Sequence, residues 1–169
     1  MLNRRSILSA CLAAALAVPA IAHAQATWPA KPVRFVVAFA PAGPADIIAR
    51  LLGQRLGEAL GQSVVVENRP GAGGSVASQV VARAEPDGYT LLINTSSYAV
   101  NPSTQRNLGF DAEKDLTLAT LVAQSPNLIA IAPQLKPRTL KEVMEDAKGG
   151  SYNYGTAGAG TTPHLTAEY

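Results

Sequence analysis

From Val33 onward the chain alternates short, almost wholly apolar runs with longer stretches in which apolar residues recur every three or four positions. "VRFVVAF" (Val33–Phe39) lacks the polar alternation of a half-exposed strand and predicts a strand covered on both faces. After the turn "APAGPAD", the segment "IIARLLGQRLGEAL" sets Ile47, Ile48, Leu51, Leu52, Leu56 and Leu60 at helical spacing, and Gly61 stands where helices commonly close. "SVVVEN" (Ser63–Asn68) reads as a second strand and "RPGAGGS" as its loop. "VASQVVARA" reads as a second helix with Val76, Val80, Val81 and Ala84 on one side and Ser75 as its N-cap. "EPDGYTLLIN" supplies a turn at Pro86-Asp87-Gly88 and a third strand, Tyr89–Ile93. This β-α-β-α-β order predicts an α/β fold, a parallel sheet with helices on its faces and functional loops at the C-terminal strand ends.

Beyond Asn94 the pattern loosens. "TSSYAVNPSTQRNLGFDAEKD" is polar and turn-rich, and predicts a long loop with a short helical turn. Two apolar runs, "LTLATLVA" and "NLIAIAP", flank Gln124-Ser125-Pro126 and predict two strands at a crossing between domains. Thr139 and Glu142 form a capping box ahead of "LKEVMEDAK", which Gly149 or Gly150 ends. "YNYG" predicts a last strand leading into "YGTAGAGTTPH", with Thr162 as N-cap and Pro163 as the first helical residue. The sequence ends at Tyr169, shortly into that helix, so the pattern leads one to expect a fragment of a longer protein.

Composition changes the picture mainly at the N-terminus. "MLNRRSILSACLAAALAVPAIAHA" has a basic start at Arg4-Arg5, an apolar centre and an A-x-A end, which marks residues 1–24 as a secretory signal peptide cleaved between Ala24 and Gln25. Arg4-Arg5 fits a twin-arginine signal as well as an ordinary secretory one, so either export route stays open. The "LSAC" at Leu8–Cys11 leaves too little apolar centre for lipidation. Without these residues the chain has no cysteine, one histidine and 12 basic against 12 acidic residues. Disulfide and thiol chemistry are excluded, and no basic stripe points to nucleic acid. No cofactor is implied, and no His, Cys or carboxylate cluster has metal-ligand spacing.

Three glycine-bearing loops, Pro41–Asp46, Arg69–Ser75 and Gly155–Thr162, each follow a predicted strand and precede a predicted helix. A tight strand-to-helix connection explains any one of them; their shared position suggests a common cleft. "GAGGSV" puts Val76 at the third glycine position of the dinucleotide fingerprint, and no glycine precedes Lys-Ser or Lys-Thr, so nucleotide binding is poorly supported. Gly73-Gly74-Ser75-Val76-Ala77 approximates a nucleophile elbow with His164 as a base, giving a serine esterase as an alternative; yet Ser75 lies too far from its strand. What survives is anion binding without net charge. Backbone N–H groups around Gly43, Gly158 and Gly160 and the hydroxyls of Thr156, Thr161 and Thr162 can hold a carboxylate. Asp46, in the first turn of its helix, is either a cap or an acceptor for a ligand or water donor.

"WPAKPVRFVVAFAPAGPADIIARLL", "VVVENRPGAGGSVASQVVARAEPDGYTLLI" and "YNYGTAGAGTTPHLTAEY" resemble, in order and spacing, the extracytoplasmic substrate-binding receptors of tripartite tricarboxylate transporters, also called Bug receptors. The resemblance implies a two-lobed, hinge-closing periplasmic-binding-protein-like (type II) fold, of which this chain is the N-terminal half. Residues 25–122 would belong to the first lobe and 123–169 to the start of the second. It implies a monomeric, non-catalytic periplasmic receptor that takes a small organic carboxylate to large and small membrane subunits, or a sensing module for a membrane kinase. Carried over, Pro41, Ala42, Gly43 and Asp46 are the first-lobe contact and Ser96 and Ser97 lie in the same cleft. Thr156, Ala157, Gly158, Gly160, Thr161, Thr162 and His164 are the second-lobe contact. Ala42 departs from the family pattern, occupying a glycine position. With the second half absent, the chain alone is expected to be poorly stable and without useful ligand affinity.

Overall fold

Three strands form a parallel sheet in the order β2-β1-β3: β1 (Val33–Val37), β2 (Val64–Asn68) and β3 (Thr90–Ile93). A computed structural model describes residues 27–150 and 152–169; the signal peptide expected over 1–24 lies outside the described residues. Lys31–Tyr169 form one structural unit. Val33 lies opposite Val64 and Val37 opposite Asn68, while Arg34 lies opposite Thr90 and Val37 opposite Ile93. The central strand is therefore paired along both edges, and the helices cover both of its faces, as its unbroken apolar run requires. Val33, Phe35 and Val37 pack with Ala49, Leu52 and Leu56 of α1 (Pro44–Leu60); Val36 and Ala38 pack with Ala77 and Val81 of α2 (Ser75–Ala82).

The buried side of α1 differs from the large-residue stripe of the sequence. Ala45, Ala49, Leu52 and Leu56 face the sheet, whereas Ile47 and Leu51 are exposed. Small residues let the helix axis approach: a Cβ on Gly53 would sit 3.2 Å from Val64 Cγ1. Gly61 closes α1 in the left-handed conformation (φ 66°), as expected of a C-terminal glycine.

Several local expectations change. Ser97–Thr104 is a full helix, α3, within the stretch expected to be mostly loop. "LTLATLVA", "NLIAIAP" and "YNYG" form no strand. Leu118, Leu121, Leu128 and Ile129 remain exposed there, since β-branched and leucine-rich runs become strands only where a neighbouring ladder accepts their backbone. Thr139 caps α4 (Leu140–Ala147) by accepting from Glu142 N–H at 3.3 Å, but the carboxylate of Glu142 accepts from Arg138 N–H, so only half of the capping box forms. α5 (Thr162–Glu168) is capped by Thr161, one residue earlier than expected.

Candidate functional site

All three glycine-bearing loops arise where the parallel-sheet pattern places them or pack against such a loop. After β1, Ala38 N–H donates to Ile93 O (3.0 Å), and the chain turns through Ala40–Gly43 into α1. Ala42 adopts φ 63°, the left-handed region that glycine tolerates and alanine does not favour. Pro41 and Ala42 are exposed and Gly43 is half-buried. Asp46, only 3% exposed, ties this turn together: its carboxylate accepts from Ala42 N–H, Arg50 Nε and Asn68 Nδ2, each at 2.9 Å. These donors, Arg50 first, then the Ala42 N–H and Asn68, lower its pKa from 3.8 to about 2. Asn68, at the end of β2, also donates to Phe39 O at 3.0 Å, so the second strand end braces the first. The carboxylate of Asp46 is thus filled from within the protein.

The second loop is a run of left-handed residues: Gly71 (φ 137°), Ala72 (46°), Gly73 (60°) and Gly74 (97°). Gly74 precedes α2, and Ser75 is already helical, so the expected serine N-cap is replaced by a glycine. Ser75 is 2% exposed; its Oγ lies 2.9 Å from Ala72 O and 2.7 Å from Gln105 Oε1, alternative acceptors for its proton, and accepts from Asn101 Nδ2 (3.3 Å). A hydroxyl buried among these partners is not presented as a nucleophile, and none of the hydrogen bonds among the described residues joins it to His164.

The third loop folds back onto this ground. Gly158 has φ 122° and Gly160 φ 77°. Thr156 Oγ1 accepts from Gly158 N–H (3.3 Å), and Thr161 Oγ1 donates to Gly158 O (2.6 Å) while accepting from His164 N–H (3.4 Å). Thr161 is consequently buried as a cap, whereas Ala157 and Gly158 are exposed and Thr162 is half-buried. The hydroxyls of Thr162 and Ser96 lie 2.6 Å apart, joining the third loop to the end of β3. Ser97 is buried, its Oγ accepting from Thr95 Oγ1 (3.0 Å). The half-buried His164 sets Nε2 3.9 Å from Glu168 Oε1.

The structure brings Ser96 together with Thr162, and Gly160 with Asn101 and the Gly73 turn. None of the hydrogen bonds among the described residues joins Pro41–Gly43 to Thr156–Thr162. Asn68, Asn101 and Gln105 escape a reading of the sequence; the i, i+4 spacing of Asn101 and Gln105 was the available signal. Two concavities, of about 660 Å3 beside α1 and β2 and about 620 Å3 around Glu145 and Tyr152, contain none of the three loops. Neither metal-ligand groups of three or more nor a helix long and apolar enough to cross a membrane occurs among the described residues.

The model of the tripartite tricarboxylate transporter family receptor matches residues 48–169. A UPF0065 protein of Bordetella bronchiseptica is 42% identical over 165 residues, covering 97% of this chain and 49% of its own length. A solved periplasmic transporter superposes with a TM-score of 0.78 at 44% identity, and an R. palustris protein solved with adipate with 0.78 at 35%; each alignment covers 83% of this chain and 48% of the other. The chain spans about half the length of the curated relatives it matches. A parallel α/β unit with glycine-bearing loops after its first two strands, and a family match running through the second and third of the three glycine-bearing loops, lead to one conclusion: this chain belongs to the tripartite tricarboxylate transporter receptor family.

Proposed function

We propose that this chain is part of an exported periplasmic receptor that captures a small organic carboxylate and delivers it to the membrane subunits of a tripartite transporter. On this reading residues 1–24 direct export, 25–122 belong to one lobe, and 123–169 begin a second. The observation that carries the proposal is the third loop, in which Ala157 and Gly158 are exposed and Thr162 pairs its hydroxyl with that of Ser96 at the end of β3 (2.6 Å). Neutral donors of this kind suit a carboxylate, which needs directed hydrogen bonds more than a counter-charge. Asp46 does not oppose it electrostatically, because Arg50 offsets its charge at 2.9 Å. Adipate in the R. palustris structure makes a linear dicarboxylate the first ligand to test.

The reading contains no catalytic step, and the engaged Ser75 hydroxyl gives the esterase alternative no support. The test is a two-dimensional amide NMR titration of the full chain with adipate, which registers binding as weak as about 1 mM, or −4 kcal/mol. Saturable shifts at Gly43, Ser96, Ala157, Gly158, Gly160 and Thr162 are expected. Shifts confined to other residues, or none with any of a dicarboxylate, a tricarboxylate and an aromatic acid, would refute the proposal.

A further inference from the structure

The "RPGAGG" turn is the most distinctive loop of the first half of the chain, yet the structure gives it neighbours from within the protein. A Cβ on Gly73 would lie 2.9 Å from Ala159 O, 3.3 Å from Asn101 Oδ1 and 3.5 Å from the carbonyl carbon of Gly160. One on Gly160 would lie 3.6 Å from Asn101 Oδ1 and from Thr104 Oγ1, and 3.7 Å from Gln105 Nε2. The second and third loops therefore touch backbone to backbone, with glycine on each side of the contact and one side chain between them.

That side chain is Asn101. It is 1% exposed on α3, and its Nδ2 donates to Gly73 O (3.1 Å) and Ser75 Oγ (3.3 Å). Its Oδ1, the atom facing Gly73 and Gly160, is buried and accepts no hydrogen bond. Four residues on, Gln105 grips the same turn by donating from Nε2 to Ala72 O (2.8 Å). The backbone holds this left-handed run through Gly74 N–H donating to Gly71 O (2.9 Å) and Ser75 N–H donating to Ala72 O, and the side-chain donors of Asn101 and Gln105 tie that turn to α3. A buried amide oxygen left without a donor is costly, and it persists only where the surrounding contacts fix the side chain.

We propose that Asn101 is a positioning residue: it locks the Gly71–Ser75 turn into the seat on which the Gly158–Thr162 loop rests, and so sets the place of the carboxylate contacts without touching the ligand. The ligand role of the third loop rests on the function proposed above; the seating does not. Glycine is needed at 73 because a Cβ there would press on Ala159 O, and at 160 because of its left-handed φ of 77°, so the "GAGG" motif serves the seating of the third loop and need not meet the ligand at all.

The test is hydrogen exchange read by NMR on the full chain without ligand. Asn101→Ala is expected to speed exchange of Thr161 N–H and Leu165 N–H, which donate to Gly158 O and Thr161 O, by about tenfold. Val33 and Ala38, bonded in and beside the sheet, should keep their protection. Gly73→Ala, whose methyl group would press on Ala159 O, is expected to move the same third-loop amides, and it decides the matter if Asn101→Ala does not fold. Unchanged third-loop amides in either folded variant, or protection lost equally in loop and sheet, would overturn the proposal. An adipate titration then separates the two readings. Loop release with no adipate binding in the parent refutes the carboxylate reading alone, whereas parental binding that survives loop release undiminished refutes the positioning role.

Discussion

Replacing Ala42 by glycine should make the protein more stable, against the usual effect of adding a glycine. Ala42 stands at φ 63° in an exposed turn, where an L-residue with a Cβ is disfavoured by about 1–2 kcal/mol relative to its right-handed conformation. Glycine removes that penalty but enlarges the conformational freedom of the unfolded chain, which offsets about 0.5–1 kcal/mol. The exposed methyl group contributes no core contact, and the Ala42 N–H bond to Asp46 at 2.9 Å survives the exchange. The net expectation is a stabilisation of about 0.5–1 kcal/mol, or a rise in Tm of about 1–4 °C for a domain of this size. Urea unfolding followed by circular dichroism measures it. Gly61→Ala is the matched control: φ is 66° and nothing lies within 4 Å of the added Cβ, so only the backbone penalty acts and a loss of about 1 kcal/mol follows. If Ala42→Gly lowers the urea midpoint while Gly61→Ala behaves as stated, the strain assigned to the first loop is wrong.

Three further outcomes are expected. Asp46 is ionised and hydrogen-bonded when folded, with a pKa of about 2 against an ordinary 3.8. Its contribution is thus present above about pH 4 and fades as pH falls through about 2, so Asp46→Asn should flatten the acid limb of stability measured by urea midpoints across that range. Thr139→Ala removes the acceptor for Glu142 N–H and should cost α4 about 1 kcal/mol, seen as faster exchange over Leu140–Ala147 with the sheet unaffected. The stretch from Leu116 to Leu135 carries no charged residue and leaves Leu118, Leu121, Leu128 and Ile129 exposed, so the chain should self-associate with concentration. Leu121→Lys with Ile129→Lys should restore a monomer by sedimentation, and a parent chain that stays monomeric at high concentration would contradict this.

The period of the apolar residues alone determined the order β1-α1-β2-α2-β3 and the parallel sheet, because a strand buried on both faces and a helix with one sheet-facing side impose different repeats on the sequence. Gly61 likewise announced the end of α1, since the left-handed cap is a local backbone requirement. Family membership was legible in the same way, from the motifs around Asn68–Gly74 and Tyr154–His164. Which hydroxyls remain free was not legible. Ser97, Thr161 and Ser96 look alike in sequence, yet the first two are buried and engaged in local bonds while the third meets Thr162 across 66 positions of chain. The same holds for "LTLATLVA" and "NLIAIAP", whose strand-like composition says nothing about whether a partner ladder exists, and for Asn101, an ordinary polar residue until the fold buries it between two glycines. Periodicity is written in neighbouring residues and survives in the sequence, whereas the satisfaction of a polar group depends on atoms brought close only by the tertiary structure.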